Sequence, residues 1–345
     1  MSPIFNQLLI PYIIAMVLAM TMGGSGTAPA FSAAYGANVI KKGLIPGLFG
    51  IMVFLGAIIA GKGTATTMGK GLLNPEMMSF TIVSIILFSV AISLLIANLV
   101  GIPQSTSQAT VMSVVAPALY FNDLNSDKLV FEIIPTWFIL PIISFFISLF
   151  IGKYIYRPMR KRGYTLQRAQ NENLKPIWNG LLILMSLYVA FSIGANNVAN
   201  AAGPIATMTA NELGVSVNDN FILIMILSTL IVAPSFAIGS SIFGHKIVKN
   251  TGKEIVLFGK FEAVVIAFVS SSLLLVASLT KGIPTSLVQL NVAAILGIGV
   301  AKLGVKNIFK KTEVKKFFLM WIIAPTIAFL LSLLLTFLAD KYGYL

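Results

Sequence analysis

The chain has no cysteine and a single histidine among its 345 residues. The first absence excludes disulfides and thiol chemistry. Carboxylates number only 11, and charged residues make up 10% of the chain, against about 25% in soluble domains. A membrane-embedded enzyme would need an acid–base pair or a metal set. One histidine, no thiol and a single carboxylate within an apolar run argue against an enzyme, and no cofactor or metal site is expected. No lysine or arginine precedes Lys41, so the first apolar run lacks the basic flank of a secretory signal peptide. An uncharged start fits an N-terminus outside the cell.

Apolar residues fill the space left by charge, at 57% of the chain and a mean hydropathy of +0.93. Apolar runs recur at 5–22, 25–40, 44–61, 79–100, 103–120 and 133–152, and again at 177–193, 195–210, 220–243, 255–280, 283–304 and 316–338. Most are long enough to cross about 30 Å of hydrocarbon. The pattern predicts an all-α polytopic membrane protein surrounded by lipid. Lysine and arginine outnumber aspartate and glutamate by 24 to 11. The excess gathers in short connections, which marks topology rather than a nucleic-acid partner. The connector 153–176, with Arg157, Arg160, Lys161, Arg162 and Arg168, reads as cytoplasmic. A second basic group runs from Lys302 to Lys316, and the link 122–132 is acidic and suits the outside.

One stretch interrupts this pattern. Ser192–Thr207, SIGANNVANAAGPIAT, places Asn196, Asn197, Asn200, Gly194, Gly203 and Pro204 where a membrane helix would continue. Backbone that breaks at that depth must line a cavity or be buried in protein, and a broken helix is a common build for a transporter's ion site. The plainer alternative is helix packing through small residues with asparagine as glue.

The two halves repeat. Gly56, Gly61 and Gly69 match Gly239, Gly244 and Gly252 at one offset of 183, and Gly101-Ile102-Pro103 matches Gly282-Ile283-Pro284 at 181. Gly23 then matches Gly194, which aligns GGSGTAPA with GANNVANA. The division is an N-terminal repeat 1–152, the connector 153–176 and a C-terminal repeat 177–345. Treating 103–120 and 283–304 as re-entrant hairpins leaves five crossings per half, an odd number, so the repeats are inverted. Broken helices then meet at the midplane. This count puts Lys41, Lys42, Lys246, Lys249 and Lys253 outside, against the positive-inside rule.

The hairpin motifs are GIPQSTSQAT (Gly101–Thr110) and GIPTSLVQLN (Gly282–Asn291). Proline suits a first helical turn, whose free N–H groups attract an anion. Ser105, Thr106, Ser107, Thr285 and Ser286 add hydroxyl donors, with packing in a membrane helix as the alternative. Gln108 and Gln289 follow.

With these motifs in place, the chain resembles the inorganic phosphate transporter family, which includes bacterial sulfate permeases. The family shows a GANDxANA-type motif in each half and a PxSTTHA-type motif near each half's end. GANNVANA (Gly194–Ala201) and PQSTSQA (Pro103–Ala109) match well; GGSGTAPA (Gly23–Ala30) and PTSLVQL (Pro284–Leu290) are degenerate copies. The resemblance implies a symporter of a bacterial or archaeal plasma membrane working by alternating access, and a homodimer on family grounds only. The family's aspartate falls on Asn197 and Gly26, and its histidine on Gln108 and Gln289. In the phosphate carriers that aspartate is implied in cation binding, so its loss puts sodium coupling in question.

Sulfate is fully ionised and only accepts hydrogen bonds, whereas phosphate carries a proton to donate. A site of Ser25, Gly26, Thr27, Ser105, Thr106, Ser107, Asn196, Asn197, Thr285 and Ser286 is rich in donors and free of carboxylates. It suits sulfate better than phosphate, since a carboxylate beside a dianion costs several kcal/mol. For the coupling ion the residues are Glu262, Asn196, Asn197, Asn200, Gln108 and Gln289. Glu262 would carry a proton, being an ionisable group in an apolar run, unless it sits at a helix end beside Lys260. Sodium on the amide oxygens is the alternative. His245 reads as an incidental loop residue, Lys281 as an interfacial anchor, and Asn98 and Gln104 as cavity candidates. An oxyanion channel is the rival class.

Overall fold

The computed structural model describes residues 3–100, 104–161, 175–251, 259–310 and 312–345. The Gly-Ile-Pro head of the first hairpin, most of the connector and Lys253 lie outside the described residues. Among the described residues there are helices and no strands, and eight helices are long and apolar enough to cross a membrane. The protein is an all-α polytopic membrane protein.

The chain opens with α1 (Pro3–Gly36), then α2 (Ile45–Ala60), the short α3 (Lys62–Thr66) and a π-helical turn, Thr67–Gly71. Next come α4 (Phe80–Val100) and α5 (Thr106–Tyr120); the stretches 103–120 and 283–304, expected to be hairpins by themselves, each hold one described helix, which is one arm of a hairpin whose other arm is the helix before it. The half closes with α6 (Ile134–Ile151), and α7 (Arg157–Lys161) leads into the connector. The second half has α8 (Lys175–Ile193), a π-helical turn at Gly194–Val198 and α9 (Ala199–Glu212). It continues with α10 (Val217–Val232), α11 (Pro234–Thr251), and the hairpin arms α12 (Lys260–Thr280) and α13 (Leu287–Leu303). The short α14 (Val305–Phe309) and α15 (Thr312–Lys341) finish the chain.

Both expected helix breaks are corrected. GGSGTAPA does not break its helix: it lies inside α1, which runs on through Pro11 and Pro29. GANNVANA shifts its helix by one π-turn instead of unwinding it, so α8 and α9 form a single span. Membrane helices tolerate glycine and proline because neighbouring groups satisfy the freed backbone. Each half therefore has fewer crossings than the five predicted. His245, expected in a loop, falls within α11.

Long helices also move the lysines. Tyr12, near the start of α1, hydrogen-bonds Thr209 and Ser228, so it shares one end of the bundle with the end of α9. Asn211 reaches Pro75 and Met78, and Tyr120 reaches Asp340, at that same end. Gly36 is about 36 Å further along α1, at about 1.5 Å per residue. Lys41 and Lys42 therefore sit at the opposite end, with the start of α8.

Helices cross closely where glycine allows it. Where α1 meets α11, a Cβ at Gly23 would collide with the Phe236 carbonyl, and one at Gly239 with the Met20 carbonyl. Where α2 meets the π-turn after α8, a Cβ at Gly194 would collide with the Val53 carbonyl, and one at Gly56 with the Phe191 carbonyl. The partners are related by the same offsets as the glycines: Met20 to Phe191 by 171, Val53 to Phe236 by 183.

Candidate functional site

Ser105 is the N-cap of α5 and accepts from the Gln108 N–H at 3.2 Å; Ser286 caps α13 and accepts from the Gln289 N–H at 3.2 Å. Two residues built the same way thus start both returning arms, as N-cap chemistry predicts. The arms then meet head to head. Gln108 Nε2 donates to Gln289 Oε1 at 3.1 Å, and Gln289 Nε2 donates back to Gln108 Oε1 at 2.8 Å. Two positive helix ends converge there. The first-turn N–H groups of Thr106, Ser107, Leu287 and Val288 have no carbonyl of their own helix to reach. The Ser105 and Ser286 oxygens accept as caps, which leaves their O–H protons to be donated.

Asn196, in the π-turn, ties this centre together. Its Oδ1 accepts from the Thr285 N–H at 3.2 Å and from Ser107 Oγ at 3.0 Å. Its Nδ2 donates to the Ile283 carbonyl at 3.2 Å and to Ser278 Oγ at 2.8 Å. The two backbone partners fix which way the amide points, since an N–H only donates and a carbonyl only accepts. Ser107 must then give its proton to Asn196, and it accepts from Asn200 Nδ2 at 3.1 Å. That leaves Asn200 Oδ1 buried with no hydrogen-bond partner, and Asn197 Oδ1 and Gln104 Oε1 share that condition. Buried carbonyl oxygens in this state are costly.

The structure thus gathers Ser105, Thr106, Ser107, Gln108, Asn196, Asn197, Asn200, Thr285, Ser286 and Gln289 into one buried region. It does not gather the residues of the first copy by hydrogen bonds. Ser25 and Thr27 give their hydroxyls to the Met22 and Gly23 carbonyls of their own helix. Gly26 faces Phe49 and Ile193. Asn98 is a strut to the Thr21 carbonyl, and Gln104 donates to Ser93. Ser278 is a member that the sequence does not announce, because a serine in an apolar run carries no signal of its own.

Glu262 lies elsewhere. It is buried in the first turn of α12 and pairs with Lys302 at 2.5 Å. Lys302 also stands 4.9 Å from the centre of the Tyr156 ring, which stacks on Phe261. Ser278, at the amide cluster, is about 24 Å further along α12 at about 1.5 Å per residue. No group of three or more potential metal-ligating side chains occurs among the described residues.

Comparison with known proteins agrees with this architecture. The sulfate permease CysP of Bacillus subtilis is 32% identical over 335 residues, covering 96% of this chain and 88% of that protein. A Pyrococcus horikoshii protein provisionally named a phosphate permease is 25% identical over 397 residues, covering 95% of this chain and 96% of its own. A solved structure described as the sodium-dependent phosphate transporter superposes with a TM-score of 0.80 at 22% identity, over 97% of this chain and 99% of that one. Residues 22–332 match the phosphate transporter family. With that match spanning most of its length, the chain belongs to the phosphate transporter family and is a multi-pass membrane transporter, not an enzyme.

Proposed function

We propose that the protein imports inorganic sulfate across the plasma membrane by alternating access, in symport with a cation. The observation that carries this is the head-to-head meeting of α5 and α13 at Gln108 and Gln289. Two half-helix N-termini, with hydroxyl and amide donors and no carboxylate among them, suit a fully ionised tetrahedral anion. The similarity to a sulfate permease supports the same choice.

The cation follows from the acceptors. Asn197 Oδ1 and Asn200 Oδ1 are buried oxygens without a donor, a pairing that suits sodium beside the anion. A proton on Glu262 would have to act from about 24 Å away and from within an ion pair. Sodium is therefore the coupling ion favoured here.

An inverted pair of repeats, 1–152 and 177–345, draws support from the two glycine crossings. Support also comes from Tyr12 at the start of α1 lying beside Thr209 near the end of α9, so that corresponding spans run oppositely. Placing the connector 153–176 in the cytoplasm now brings Lys41 and Lys42 to the same side, as the positive-inside rule prefers.

The test is radiolabelled sulfate uptake into proteoliposomes, with excess cold phosphate and under either a sodium or a pH gradient. Saturable uptake that resists phosphate and follows sodium supports the reading. Uptake abolished by phosphate overturns the substrate, and uptake driven by the pH gradient alone overturns the cation.

A further inference from the structure

Gly282 has a left-handed φ of +61° and touches Gly63 backbone to backbone, so that a Cβ on either would run into the other's main chain. This contact has a consequence for charge. Lys62 precedes Gly63 and Lys281 precedes Gly282, so a lysine from each half is brought beside the other. Both are exposed. Glu262–Lys302 is the only ion pair among the described residues, so neither Lys62 nor Lys281 has a carboxylate partner.

The crossing adjoins the amide cluster. A Cβ at Gly63 would stand 2.7 Å from the Ser278 carbonyl, and the Ser278 hydroxyl accepts from Asn196. Thr64, the next residue, is fully buried and its hydroxyl has no partner. The lysines therefore stand at the rim of the cluster, with an unsatisfied hydroxyl just below them. They lie far from Glu262, since Lys281 follows the last residue of α12 and Glu262 is in its first turn.

Carboxylates gather at the end of the bundle beyond the cluster: Asp123 binds the Asn74 N–H, Asp340 binds Tyr120, and Glu212 closes α9. Tyr120 lies about 18 Å along α5 from Gln108, and Glu212 about 18 Å along α9 from Asn200, at about 1.5 Å per residue. A dianion entering from that end meets negative charge first. Two lysines without a carboxylate partner put positive charge beside the cluster, and a low-dielectric surround focuses their field.

We propose that Lys62 and Lys281 form an anion-capture site at the rim of the amide cluster, which takes a divalent tetrahedral oxyanion before it reaches the half-helix ends. The site rests on the reading of the protein as an oxyanion transporter. Capture of this kind acts on the concentration needed for transport, not on turnover, and salt screens it within about 10 Å at 0.1 M.

The experiment measures initial rates of radiolabelled sulfate uptake, and separately phosphate uptake, at low and high ionic strength. The variants are K62Q/K281Q and K62R/K281R. The glutamine pair is expected to raise KM roughly tenfold at low salt, to keep Vmax within about twofold, and to flatten the salt dependence. The arginine pair should restore wild-type behaviour. A glutamine pair with unchanged KM and salt dependence overturns the capture site while leaving the transporter reading intact. Equal losses of Vmax in both variants mean a structural role and also overturn it. A wild-type protein that carries neither anion overturns both.

Discussion

Gln108 and Gln289 satisfy each other in both directions, at 3.1 and 2.8 Å, across the two halves of the protein. Each side chain is buried, so losing one partner strands a donor and an acceptor on the other. Leaving a buried polar group unsatisfied costs about 1–3 kcal/mol. Gln108→Leu should therefore lower the unfolding temperature of the detergent-solubilised protein clearly. Gln108→Leu with Gln289→Leu should cost less than the sum of the two single changes. Strictly additive losses would mean that the two amides do not act as a pair.

Asn197 differs from Asn196 in having no partner for its Oδ1. Asn196 is committed to Ser107, Ser278, Ile283 and Thr285, so changes there should disturb folding. Asn197→Asp should fold normally and place a carboxylate beside the anion. The sulfate KM is expected to rise by about tenfold, corresponding to about 1.4 kcal/mol, while cation affinity increases. Uptake titrated with sulfate at several sodium concentrations reads both. Unchanged values for both ions would remove Asn197 from the site.

How much of this was legible in the sequence depends on the residue. The membrane class, both hairpin motifs and the polar centre at Asn196, Asn197 and Asn200 follow from composition and from paired motifs. Helix breaks did not, because Gly23, Gly24 and Pro29 look like an interruption and yet lie within one continuous α1. In a packed membrane bundle, glycine serves close approach more than bending. Gly23 is there because the Phe236 carbonyl occupies the space of its side chain. The wrong count of crossings then put Lys41 and Lys42 at the end of the bundle opposite the start of α8. Glu262 was legible as a buried carboxylate, but its partner Lys302 comes from 40 residues away, beyond the reach of local pattern. The same holds for Lys62 and Lys281, which only the Gly63–Gly282 contact brings together.

Glu262 and Lys302 bridge the arms α12 and α13 at the end of the bundle that holds the start of α8. Removing one member of a buried pair costs more than replacing both, by up to about 3–5 kcal/mol. Glu262→Gln should therefore lower thermal stability, and Glu262→Met with Lys302→Met should recover much of it. The uptake that remains in Glu262→Gln should keep its dependence on the driving gradient. Loss of that dependence with anion exchange intact would make Glu262 the coupling carboxylate after all.

The two glycine crossings should respond alike. A methyl group at Gly194 would meet the Val53 carbonyl, and one at Gly23 would meet the Phe236 carbonyl. Neither obstacle is the end of a flexible side chain, so the helices must separate, and overpacking of this kind costs about 1–3 kcal/mol. Gly180 is a control on the same helix as the approach to Gly194: it is exposed in α8 and nothing lies within 4 Å of its Cβ position. Gly180→Ala should be neutral or slightly stabilising, since alanine favours a helix over glycine by about 1 kcal/mol. Gly194→Ala and Gly23→Ala should both lower the unfolding temperature, and both should slow uptake more than they weaken anion binding, because the crossings join helices of opposite halves, which the proposed alternating access would move against each other. A Gly23→Ala variant with wild-type stability and rate, beside a damaged Gly194→Ala, would show that the two crossings are not equivalent and would undercut the inverted-repeat reading.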